Sequence, residues 1–307
     1  MCAAVAPLLP VPRRRWLRRG EVALAAAAAS LALAACGGSA PSAGSVLRET
    51  FSSHRPLSGG VVDVSLELTG PGGHRGPHGF SLLLEGPFQS AGAGRLPDFA
   101  LGITLETEHR VLTAGAISTA GRLYLQLGGQ SFAVPSASAR ALTAGYAPFG
   151  IEPRAWLRHP AVAGTAHIAG AEVTHIVAGL DAPRFLADAE RLSSAGLALG
   201  EALGASLLTP ARSAALSTSV GDGRVDVYTG SPDHRLRRLL LRAAVSSGPA
   251  ARTALGDLAG GTLRLGLQFA ELGQPQTITP PARPLPPSQL GPALERVGQA
   301  AASRPPA

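Results

Sequence analysis

Two cysteines, eight histidines and twenty carboxylates are the side chains of this 307-residue chain equipped to hold a metal, attack a carbonyl or move a proton. Their spacing argues against all three uses. His74 and His78 stand four apart, but Pro71-Gly72-Gly73 and Gly76-Pro77 around them forbid the helix that would turn both toward one ion. His167 and His175 fall on two runs that read as adjacent strands of a hairpin, close enough to meet across it, with no third ligand type beside them. They read as strand histidines, exposed or satisfied by neighbours. Glu106 and Glu108 share a strand face and, next to His109 and Arg110, read as solvated surface. The chain contains no lysine, which removes the phosphate-binding Gly-Lys loop, the Schiff-base lysine and the Ser-x-x-Lys nucleophile together. No Gly-x-Ser-x-Gly elbow and no Cys-x-x-Cys pair occurs. The expectation is therefore no enzyme, no catalytic residue, no cofactor and no metal site.

One reactive side chain does sit in a telling place. Cys36 closes an apolar run, Val22 to Ala35, that follows Arg13, Arg14, Arg15, Arg18 and Arg19. A basic start, an apolar stretch and small residues at the processing point are the three parts of an export signal. The run is shorter than the about 20 apolar residues that a membrane-spanning helix needs. Leu33-Ala34-Ala35-Cys36 resembles the lipobox of bacterial lipoproteins. That resemblance implies that the Cys36 thiol becomes a diacylglyceryl thioether and that cleavage just before it makes it the new N-terminus. The chain would then be exported and anchored in the cell membrane by acylated Cys36, on the extracytoplasmic face. Cys2 leaves with the signal, so the mature chain holds one acylated cysteine and no disulfide. Arg13-Arg14-Arg15-Trp16-Leu17 is similar to the twin-arginine export motif and reads equally as a plain basic region, so both export routes stay open.

The net charge of +7 hints at nucleic acid until its location is examined. Without residues 1–35 the balance is 22 Arg against 19 acidic residues, with no basic block and few aromatic rings to stack bases. Nucleic acid is therefore not an expected partner, and protein partners are left unassigned. The abundance of Ala, Gly, Leu, Arg and Pro, with Lys and Asn absent, reflects a GC-rich bacterial genome more than a function.

Beyond the signal, Gly37 to Ser45 is a run of small residues that reads as a flexible tether. A short helix is expected near Ser45 to Ser53, and then the apolar period becomes two. Val62, Val64, Leu66 and Leu68 alternate with Asp63, Ser65, Glu67 and Thr69. The pattern returns at Leu101, Ile103 and Leu105, at Leu123, Leu125 and Leu127, at Val225 and Val227, and at Leu263, Leu265, Leu267 and Phe269. Gly-rich junctions separate these runs, which predicts an antiparallel meander of about nine to eleven strands. Helices are expected within Gly150 to His159, where Pro153 suits a first turn with Trp156 and Leu157 behind it, from Ala182 behind an Asp181 cap, and in parts of 193–220. From Gln274 the chain is Pro-rich and reads as a flexible tail, interrupted by a short helix near Leu290 to Ala301.

Several stretches carry a wider resemblance. Gly86-Pro87-Phe88-Gln89-Ser90, Leu96-Pro97-Asp98-Phe99, Phe132-Ala133-Val134-Pro135, Gly150 to Leu157, Gly170 to Leu186 and Asp226-Val227-Tyr228-Thr229-Gly230 resemble actinobacterial lipoproteins of the LppX/LprA/LprF/LprG family. The resemblance implies an α+β fold similar to the LolA/LolB carriers: a curved antiparallel β-sheet, a half-barrel, with helices packed on the concave face around an apolar cavity. It also implies a ligand, an acylated lipid or glycolipid, carried across the envelope. The domain layout expected is a signal peptide at 1–35, lipidated Cys36 and tether at 36–59, the LppX/LprG-like domain at 60–273 and the tail at 274–307. Candidate lipid-binding residues are Val62, Val64, Leu66, Leu68, Leu82, Leu84, Leu123, Leu125, Leu127, Leu263, Leu265 and Leu267. A scaffolding or protein-binding lipoprotein without lipid cargo is the alternative.

Overall fold

The computed structural model describes residues 41–52, 57–73, 79–92, 95–108, 111–137, 139, 152–189 and 210–302. The lipobox residues Leu33, Ala34, Ala35 and Cys36, the pair His74 and His78, and the stretch 190–209 lie outside the described residues.

Eleven strands form one antiparallel sheet: β1 (Gly59–Thr69), β2 (Phe80–Gln89), β3 (Asp98–Thr107), β4 (Val111–Thr119), β5 (Arg122–Leu127), β6 (Gln130–Ala133), β7 (Leu157–Ile168), β8 (Ala171–Leu180), β9 (Val220–Gly230), β10 (Leu236–Val245) and β11 (Thr262–Ala270). Their order is β6-β5-β4-β3-β2-β1-β11-β10-β9-β8-β7. Each half is a simple meander, and the two halves join where β1 pairs with β11 at the centre. The sheet stays open, with β6 and β7 as its edges. Two-residue turns with both residues at positive φ, Ala120-Gly121, Gly128-Gly129 and Ala169-Gly170, close three of the hairpins. Such turns match the right-handed twist of the strands they join.

The period-two pattern becomes two chemically different faces. On one face the register aligns Val64 with Leu267, Leu239, Val227 and Ile176 in one direction, and with Leu84, Ile103, Ala114 and Leu127 in the other. On the opposite face it aligns Asp63 with Gln268, Arg238, Tyr228 and His175. Direct cross-strand neighbours share a face, so every apolar run of the sequence lands on the same side.

Helices contribute to the apolar side. They are α1 (Ala43–Thr50), α2 (182–189), α3 (Pro210–Ser219), α4 (Pro249–Leu255) and α5 (Leu290–Ala302). One buried cluster joins Val46 and Leu47 of α1, Phe185 and Leu186 of α2, Leu216 of α3 and Leu255 of α4 to Ile176, Val225, Val227, Leu239 and Leu241 of the sheet. Asp181 caps α2 as expected, its Oδ1 accepting from the Arg184 amide at 3.3 Å. The helix expected near Pro153 shrinks to a single 3-10 turn, Pro153–Trp156, because β7 begins at Leu157.

Two boundaries differ from the sequence expectation. The 36–59 segment is not all tether: Ser42 caps α1, and Val46 and Leu47 are buried in the main cluster, so the folded body already includes residues ahead of Gly60. The 274–307 segment is not simply a flexible tail. The Leu285 amide donates to the Ser131 carbonyl at 2.8 Å, and the Ala133 amide donates to the Leu285 carbonyl at 2.9 Å. Then α5 buries Leu290, Ala293 and Leu294 against Leu125, Leu127 and Phe132. An edge strand offers unpaired backbone groups, and β6 finds its partner in this returning segment.

Candidate functional site: a half-buried apolar sheet face

All twelve candidate residues lie on the apolar face, as the pairing register requires. They do not share one environment. Leu68 and Leu263 are buried in the main cluster, and Leu125 and Leu127 are buried in a second cluster beneath α5. Val62, Val64, Leu66, Leu82, Leu84, Leu123, Leu265 and Leu267 are only half-buried. Leu101, Ile103, Ala114 and Phe269, absent from the sequence-derived set, occupy the same face and the same intermediate burial. The signal for Leu101, Ile103 and Phe269 was present in their alternation. Ala114 carries no such signal, because it is small and sits among Thr113 and Gly115.

The arrangement is a continuous apolar strip over β11, β1, β2, β3 and β4, closed on both sides by packed clusters and incompletely covered between them. Along β1 it runs from Val62 to Leu68, about 20 Å at roughly 3.3 Å per residue. Phe88 and Phe269 meet edge to face across its end, with ring centroids 6.0 Å apart. Next to them Gly86 has φ 151°, and a side chain there would collide with the Ala100 carbonyl. Only glycine permits this approach of β2 and β3, and Pro87 beside it has no amide to donate to the ladder.

No family model and no curated protein matches the sequence. Solved structures do match. The chain resembles mycobacterial LprF and LppX. LprF from Mycobacterium bovis is 13% identical, with 78% of this chain and 97% of that chain covered and a TM-score of 0.48. LppX from Mycobacterium tuberculosis is 13% identical, with 76% and 97% covered and a TM-score of 0.41. A LolA superfamily protein from Nitrosomonas europaea is 12% identical, with 78% and 96% covered and a TM-score of 0.22.

The opposite face holds a charge group centred on Asp226. Asp226 Oδ1 accepts from His175 Nε2 at 2.8 Å, and Arg224 donates to both Asp226 oxygens at 2.8–3.2 Å. Partial burial works against the Asp226 charge, but the Arg224 and His175 hydrogen bonds outweigh it and hold its carboxyl below the ordinary range. The Asp226 hydrogen bond and charge raise the Arg224 pKa in turn. His175 stacks on Tyr228 with centroids 4.4 Å apart. The cross-hairpin approach of His167 and His175 is not made: His167 pairs with Glu172, and His175 turns to Asp226. Among the described residues no group of three metal-ligating side chains occurs.

Proposed function

We propose that this protein is a membrane-anchored envelope lipoprotein that holds the acyl chains of a lipid or glycolipid on its apolar sheet face and carries that lipid across the envelope. In this reading Cys36 is the anchor on the extracytoplasmic side. The sheet curves as a half-barrel, and its helices close the concave side around the cargo.

The observation that carries the reading is the half-buried strip itself. A protein with no ligand to hold gains stability by covering such a surface completely, at about 25 cal/mol per Å². Here the two ends of the face are covered and the middle is covered only in part. An acyl chain supplies the missing cover: at roughly 0.8 kcal/mol per buried CH2, a chain of about 16 carbons gains roughly 13 kcal/mol on leaving water. No directional polar group is needed for that task, which agrees with the Leu, Val, Ile and Phe lining.

The test is native mass spectrometry of the full chain purified from a lipid-producing host. The expected result is a mass excess, beyond the acyl anchor, that identifies a co-purified lipid and exchanges with added lipid. A chain that carries no such mass and takes up no added lipid overturns the proposal and leaves the scaffolding role, for which envelope crosslinking to a protein partner is the readout.

A further inference from the structure

We infer that the pocket between α1, the 152–156 turn and α2 receives the anionic, phosphate-bearing headgroup of the bound lipid. The inference rests on the lipid-holding reading and adds the headgroup class to it. The pocket measures about 640 Å³, and Arg48, Arg154 and Arg184 all line it. These residues come from three elements far apart in sequence. Glu152 is the single carboxylate among the described lining residues, and Asp181 approaches Arg184 Nε at 3.7 Å. Arg48 and Arg154 have no ion-pair partner among the described residues. Guanidinium groups offer forked donors matched to phosphate oxygens, so three of them around one concavity, set against the carboxylates of Glu152 and Asp181, form an oxyanion site with one net positive charge.

The arginines are held by elements that are themselves tied down. Asp188, 4% exposed, accepts from the Glu152 amide at 3.1 Å and from Trp156 Nε1 at 2.9 Å, which locks the Arg154 turn onto α2. The Trp156 and Phe185 rings meet edge to face at 5.2 Å in the same place. On the other side, Thr50 and Thr229 hydroxyls share a hydrogen bond of 2.9 Å that fixes the end of α1 beside Arg48. The segments that carry the arginines are therefore held in place before a ligand arrives, and only the exposed side chains remain to be ordered.

A free oxyanion needs only the arginines. This pocket also presents Phe51 and Leu157, and both pack against the main apolar cluster, as Leu66, Leu82, Leu265 and Leu267 of the strip do. A cationic concavity with Phe51 and Leu157 as an apolar wall fits an amphiphile, with its charged end among the arginines and its chains against that wall.

The experiment uses the full chain and the Arg48→Gln/Arg154→Gln double variant, each titrated by native mass spectrometry with phosphatidylglycerol and with diacylglycerol of identical chains. Inorganic phosphate is titrated separately by calorimetry. Both arginines are exposed, so the variant is expected to keep the wild-type melting temperature. The wild type is expected to prefer phosphatidylglycerol about tenfold, a preference that salt weakens and the double variant abolishes while diacylglycerol binding is unchanged. Equal binding of the two lipids by the wild type, or a preference that survives in the variant, overturns the headgroup assignment and leaves lipid holding intact. Phosphate binding without a phosphatidylglycerol preference also overturns it, in favour of a free oxyanion. Failure of both lipids to bind removes the lipid-holding reading and this inference with it.

Discussion

Replacing Leu84 by Gln is the sharpest single probe of the apolar strip. Leu84 lies at its centre, paired with Val64 on one side and Ile103 on the other, and it is half-buried. Full burial of a leucine side chain is worth about 1.5–3 kcal/mol, and roughly half of that is still unrealised until a ligand covers the residue. Substitution by Gln forfeits that remainder, about 1 kcal/mol, and places an amide under an acyl chain where it finds no partner, a further cost of about 1–3 kcal/mol. The sum of at least about 2 kcal/mol corresponds to acyl-lipid affinity weakened about 30-fold or more. In the unliganded protein the amide keeps its water, so the thermal midpoint is expected to change little. Displacement of a fluorescent fatty acid, run beside a melting curve, reads both quantities. Leu239→Ala is the control: Leu239 is 1% exposed within the closed cluster, and its truncation costs about 2–5 kcal/mol of stability. The reasoning is refuted if Leu84→Gln behaves like that control, with a large loss of stability and lipid affinity changed less than twofold, because Leu84 would then be packed core.

Cys36→Ser is expected to move the chain from the membrane fraction to the soluble fraction without altering the melting of the body. Retention in washed membranes would show that something other than acylation anchors it. Leu294→Ala should cost about 2–4 kcal/mol and speed amide exchange at Ala133, because α5 covers Leu125, Leu127 and Phe132; unchanged exchange would disprove that the returning segment supports the β6 edge. Asp226→Asn should remove a contribution of about 1 kcal/mol or less, given its partly exposed pairing with Arg224. The Asp226 carboxyl is held below its unfolded value, so that contribution is complete above about pH 4 and fades as pH falls through the folded pKa. Melting curves of the two proteins should therefore converge in acid, and a gap that is the same at every pH counts against the assignment.

Much of the sheet was legible because alternation is a local property. Val62 to Leu68 and Leu263 to Phe269 reveal their strand character without reference to any partner, and the Gly-rich junctions mark where the hairpins turn. The returning segment was hidden for the opposite reason. Leu285, Leu290 and Leu294 stand among prolines that mask their apolar content, and what they cover is an edge more than 150 residues earlier in the chain. α1 was expected in nearly the right place, but nothing local distinguishes a helix that ends a tether from one whose Val46 and Leu47 enter the core.

The sequence by itself determined that this protein has one apolar sheet face and one polar face, since side chains alternate across a strand wherever it pairs. It also determined the expectation of export and acylation at Cys36, which depends only on residues adjacent in the chain. The tertiary structure alone decided which part of the apolar face remains half-buried. That depends on β1 joining β11, on helices closing one side and on α5 closing the other. It alone brought Arg48, Arg154 and Arg184 around one pocket. Long loops must close before such contacts exist, and no local pattern records which distant residues will meet.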